Sequence, residues 1–169
     1  MQFSTKLITR TALFLALAVL LPIGFHQFGM AGRIFLPMHI PVLLAGFIAG
    51  PVSGAAVGVL APGLSFMVTG MPPAYAVFLM SIELLAYGLT AGLLYGRWRL
   101  NIYLALVLSL LFGRTGFSLA LLLMGQFVDL PYGVKEYFAA AVVTGLPGMA
   151  IQLVIIPPIV ISVRRWMNP

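Results

Sequence analysis

The charged residues of this chain stand at the ends of long apolar runs and hardly interrupt them. Crossing about 30 Å of hydrocarbon takes roughly 20 helical residues. On that measure the runs divide into helices at about 5–25, 35–50, 51–69, 73–95, 100–124 and 136–163. The pattern predicts one all-α membrane domain over 1–169, a compact bundle of six transmembrane helices. No internal repeat and no linker is evident.

The stretch 35–63, FLPMHIPVLLAGFIAGPVSGAAVGVLAPG, predicts a helical hairpin. A Gly50-Pro51 step ends one helix and starts the next, because proline lacks an N–H and suits a first helical turn. Gly46, Gly50, Gly54 and Gly58 recur every fourth residue. In lipid, such small-residue faces let helix backbones approach closely. His39 lies seven residues before Gly46, which places it on the same face, turned inward. Pro37 and Pro41 predict irregular first turns for the short second helix, which is tolerated only where protein or a cavity covers the backbone.

Composition agrees with a membrane and narrows the topology. Of the 169 residues, 62% are hydrophobic and 7% charged, with 18 glycines and 12 prolines, far more apolar than a soluble domain of this size requires. The net charge of +6 forms no patch suited to nucleic acid, because its basic residues are scattered. With both termini cytoplasmic, Lys6, Arg10, Arg97, Arg99, Arg164 and Arg165 fall inside, and Arg33 and Lys135 outside, as the positive-inside rule favours. Trp98 and Trp166 then sit at the inner interface. The outer loops at about 26–34 and 125–135 carry Gln27, Arg33, Gln126, Asp129 and Tyr132, so a site open to the outside is expected. The first apolar run is followed by His26-Gln27-Phe28 without a small-residue cleavage site, which predicts a retained helix. The absence of cysteine excludes disulfides and thiolate metal sites.

Ionisable residues within a membrane are costly and usually functional. Glu83 lies about ten residues into the fourth helix from its outer end, and Arg114 about eleven into the fifth from its own, so at 1.5 Å per residue both sit about 15 Å deep. They form a structural ion pair, contact a ligand, or do both. His39, nearer the outer end, is a ligand contact or a packing residue, and Gln152, after a break at Gly145-Leu-Pro147-Gly148, serves freed carbonyls or a ligand. Tyr87 and Ser118 extend the faces of Glu83 and Arg114 by one turn. Together His39, Glu83, Tyr87, Arg114 and Gln152 outline an outward-facing pocket for a small polar molecule with an apolar or aromatic body. Arg33 from the first outer loop and Met38 join them as candidate substrate contacts, and Met71 and Met80 are further candidate lining.

Ala12 and Ala16, with Ala18 nearby, form a small-residue patch on the first helix, suited to close contact within the bundle or with another protein. No phosphate loop, zinc-protease motif, nucleophile elbow or carboxylate cluster occurs. With three acidic residues and two histidines, no catalytic residue, metal site or cofactor is expected, and the chain reads as a non-enzyme.

The six-helix layout, the alanine patch, LPMHIPVLLAGFIAGPVSGAAVG at 36–58, TGMPP at 69–73 leading to Glu83, GR at 113–114 and GLPGMAIQLVIIPPIV at 145–160 resemble the substrate-binding S components of energy-coupling-factor (ECF) transporters. The resemblance covers nearly the whole chain. It implies a subunit of the prokaryotic plasma membrane that binds a vitamin near the outer surface, with the loop at about 26–34 helping to close the site. It further implies that Ala12 and Ala16 contact a transmembrane coupling subunit, with two cytoplasmic ATPases driving release as the S component topples in the membrane. The vitamin is not named by it; Arg114 and His39 favour a carboxylate-bearing or heteroaromatic one, and an ion pair between Glu83 and Arg114 weakens the carboxylate half. The alternatives are a ligand-free scaffold of a cell-envelope complex and a stand-alone small-solute carrier. Six helices without a repeat are a small platform for the latter.

Overall fold

A computed structural model of the chain describes residues 4–26, 34–127 and 134–167. All regular secondary structure among the described residues is helical: α1 Thr5–His26, α2 His39–Ala49, α3 Pro51–Thr69, α4 Ala74–Ala91, α5 Ile102–Met124 and α6 Val134–Met167. A π-helical stretch, Gly92–Arg97, continues α4. Five apolar stretches, Thr5–Phe25, Pro51–Thr69, Ala74–Arg97, Ile102–Met124 and Val143–Met167, are long enough to cross a membrane, with mean hydropathies of 1.6 to 2.0. The exception is α2, whose 11 residues rise only about 16 Å, roughly half the hydrocarbon thickness. The bundle exterior is apolar as well, with Leu13, Leu20, Leu104, Leu119 and Val154 exposed.

The prolines and glycines of the hairpin divide their work. Pro41 is the third residue of α2 and Pro51 the first of α3, positions whose N–H groups have no helical partner in any case. Gly50 turns the chain at φ 98°, a conformation that only glycine adopts without strain. No atom lies near where its Cβ would stand. Gly50 therefore leaves the packing face that the four-residue spacing suggests, and Gly46, Gly54 and Gly58 carry it. A Cβ on Gly46 would strike the carbonyl oxygen of Gly88, one on Gly58 that of Leu84, and Gly54 and Gly88 meet backbone to backbone. Gly92 abuts Pro51 in the same way, and Gly113 of α5 makes room for the Tyr87 ring. These contacts lock α2, α3, α4 and α5 together around a core that includes Val42, Leu43, Phe47, Val57, Leu84, Tyr87 and Leu106.

The sixth helix is continuous through Pro147, Pro157 and Pro158, so residues 145–148 do not form the expected break. Gly145 and Gly148 instead bare the α6 backbone. The Arg114 side chain presses against the first, and the backbone of Ile34 and Phe35 against the second. Protein covers the helix where its ladder is interrupted, which is how membrane helices accommodate proline.

Three contacts fix one end of the bundle. Thr11 and Ser53 share a hydrogen bond between α1 and α3, Gly92 abuts Pro51 at the hairpin tip, and Arg164 of α6 donates to the Phe47 carbonyl from Nη2 (2.7 Å) and Nε (3.2 Å). The Arg164 guanidinium also stands 4.5 Å over the Tyr95 ring. Lys6, Arg10, Arg97, Arg99, Arg164 and Arg165 therefore gather at this end, which also holds the tip of the hairpin.

Candidate functional site

The start of α2 is set by an unusual local conformation. Leu36 adopts φ 50°, costly for a residue with a Cβ, and its side chain lies against Gly145 and Gly148 of α6. Its carbonyl accepts the His39 N–H at 3.0 Å. Packing against α6 thus holds the turn through Pro37 and Met38 that delivers His39 to the interior. His39 is 2% exposed.

Four side chains from three helices converge there. Glu83 of α4, 2% exposed, accepts at Oε1 from Arg114 Nη1 of α5 at 3.0 Å and from the Tyr87 hydroxyl at 2.9 Å. His39 Nε2 lies 3.8 Å from Glu83 Oε2, beyond hydrogen-bonding range. Its ring sits 5.4 Å from that of Tyr87 at a 55° tilt. Residues 83 and 87 are one helical turn apart, so the phenol reaches back to its own helix's carboxylate. Gly113, one residue before Arg114, is the gap that admits the phenol.

The cluster pairs its carboxylate with a guanidinium but is incompletely bonded. Arg114 Nε and Nη2 and both His39 nitrogens are buried without a hydrogen-bond partner. Both amide atoms of Gln152, a residue with no exposure at all, are unpartnered too. Gln152 follows Gly145 and Gly148 at helical spacing and shares their face of α6. Orphaned polar groups of this kind cost about 1–3 kcal/mol each, a cost that a bound polar molecule would offset. Among the described residues there is no cluster of His, Asp and Glu able to hold a metal ion.

The other expected positions divide. Met38 is buried in the main apolar core beside His39, while Ser118 donates to the Arg114 carbonyl within its own helix and does not extend the site. Arg33, with Gln27, Asp129 and Tyr132, lies outside the described residues. Ala12 and Ala16 are exposed on α1, and only Ala18 of that patch is buried. Gly145 and Leu36 were not legible as neighbours of the site; the one signal was the glycine pair of the supposed break.

The profile of a family described as "ECF transporter, substrate-specific component" matches residues 6–160. The chain belongs to this family. It is thus a substrate-specific membrane component of an ECF transporter, and its place in that family is that of a binding subunit and not of a catalytic one. Neither the curated proteins nor the solved structures yield a match.

Proposed function

We propose that this S component captures a small water-soluble vitamin from outside a prokaryotic plasma membrane and delivers it through a transmembrane coupling subunit driven by two cytoplasmic ATPases. The carrying observation is the buried His39–Glu83–Tyr87–Arg114 cluster, which pairs Glu83 with Arg114 yet leaves Arg114 donors unmatched, while the Gln152 amide of α6 is buried and unmatched as well. In this reading Glu83 and Tyr87 orient Arg114, Arg114 and Gln152 bond the ligand, and His39, with Met38 behind it, forms one wall. Arg33 contacts the ligand from the outer loop.

The gathering of basic residues at one end supports a cytoplasmic placement of that end and of both termini. The start of α2, which carries His39 into the cluster, then lies on the outer side, away from the hairpin tip. The exposed Ala12 and Ala16 present small side chains on a helix otherwise flanked by exposed Ile8, Leu13 and Leu20, a surface on which another membrane helix can pack closely.

The test separates binding from uptake. Equilibrium dialysis of the purified chain against a panel of radiolabelled vitamins should find one that binds saturably without any partner. Uptake of that vitamin by cells should require the coupling module. Ala12→Leu with Ala16→Leu should abolish uptake and leave binding unchanged. Uptake by the chain alone would favour a stand-alone carrier. Failure of every vitamin to bind would favour a scaffold.

A further inference from the structure

We infer that the buried end of the substrate is an uncharged planar acceptor, the carbonyl of an amide, lactam or ureido ring, and not a carboxylate. This inference rests on the importer reading above and names the chemistry of its ligand.

The first ground is the geometry of Arg114. A guanidinium offers five N–H donors in a fixed fork, and planar acceptors engage two of them side by side. Glu83 Oε1 takes Nη1. The edge left over is the Nε and Nη2 pair, whose N–H bonds run parallel, and both atoms are buried without a partner. Gly145 borders this edge, since a Cβ there would collide with Nη2. The glycine thus makes room for the guanidinium against α6, with Nε and Nη2 left unbonded.

The second ground is charge. Arg114 already has its counter-ion in Glu83, and the remaining groups facing that carboxylate are the Tyr87 hydroxyl and His39. A substrate carboxylate on the fork would place a second anion beside Glu83 deep in the bundle, with Arg114 as the one permanent cation of the cluster, where an uncompensated ion is strongly disfavoured. A neutral carbonyl accepts both fork hydrogens and leaves the balance untouched. Gln152, carrying one donor and one acceptor group, is fully buried and unpartnered on the α6 face of Gly145 and Gly148. It suits the alternating donor and acceptor edge of a heterocycle, and the His39 and Tyr87 rings give such a ring an aromatic neighbour.

The experiment uses the full chain in mild detergent. Dialysis is run with two acid and neutral pairs, nicotinate with nicotinamide and pantothenate with panthenol, and with any molecule that co-purifies, compared with its carboxamide where it is an acid. The neutral member should bind at least as tightly as the acid. Arg114→Lys keeps a cation for Glu83 but removes the fork, and should weaken binding about 100-fold, or ~2.7 kcal/mol, while the unfolding midpoint stays near that of the native chain. Glu83→Gln removes the compensating anion, and should shift preference towards the acid member by about tenfold, or ~1.4 kcal/mol. A bound acid whose carboxamide binds about 100-fold worse overturns the inference and leaves the importer reading standing. So does Arg114→Lys that binds normally, or Glu83→Gln that leaves the preference unmoved. A chain that binds none of these molecules and carries none from the cell overturns the importer reading, and the inference with it.

Discussion

Removing Arg114 or Glu83 singly should harm the bundle far more than removing both. The perturbation is a double-mutant cycle of Glu83→Gln, Arg114→Met and their combination. With the contacting atoms 3.0 Å apart, the charge centres stand about 4 Å apart, and at an effective dielectric near 20 their attraction is ~4 kcal/mol. Arg114→Met leaves Glu83, 2% exposed, with the Tyr87 hydroxyl and with His39 Nε2 at 3.8 Å. Glu83→Gln leaves a guanidinium, its side chain 14% exposed, without a counter-ion. Each single change should therefore cost about 3–5 kcal/mol, whereas the pair replaced together leaves no buried charge and is expected to cost much less than the sum. The expected coupling energy is about 3 kcal/mol. The assay is reversible unfolding from mild detergent into increasing sodium dodecyl sulfate, followed by circular dichroism, for all four chains. Additive single effects, with coupling below about 0.5 kcal/mol, would refute the pairing.

Three further outcomes follow from packing and surface. Gly88→Ala places a methyl into the Gly54 backbone, which cannot step aside, and should cost about 1–3 kcal/mol or more in the same unfolding assay; Gly116→Ala, whose added Cβ would meet its neighbours at 3.6–3.9 Å, is the neutral control. Arg164→Leu removes both bonds to the Phe47 carbonyl and the stack on Tyr95, and should lower stability by about 1.5–3 kcal/mol while dialysis shows ligand affinity unchanged. Arg164→Lys should recover only part of that loss, because an ammonium lacks the planar fork.

Much of this architecture is legible because helix rise converts sequence number into depth. Counting from the helix ends puts Glu83 and Arg114 at the same level, and the structure brings them into contact. One-turn spacing likewise ties Tyr87 to Glu83. What fails is any property that depends on the neighbour. The spacing of Gly46, Gly50, Gly54 and Gly58 is uniform, yet Gly50 serves a positive-φ turn while the other three serve backbone contact; local sequence does not distinguish the two uses. Gly145-Leu-Pro147-Gly148 reads as a break because proline and glycine interrupt helices in water. In the bundle Arg114 and the chain at 34–36 cover that face, and α6 runs on. Arg164 counts towards the positive-inside rule, and nothing near it in sequence indicates the Phe47 carbonyl that it holds. Which face of α1 is exposed, with Ala12 and Ala16 on it, likewise depends on its neighbours in the bundle and not on local sequence.

Native mass spectrometry of the chain, purified in mild detergent from cells grown in rich medium, tests whether the buried cluster binds a small molecule. A stoichiometric small-molecule adduct should appear on the native chain and be absent from Arg114→Lys. A bare spectrum that persists after incubation with a full vitamin panel would contradict the binding role assigned to the buried cluster.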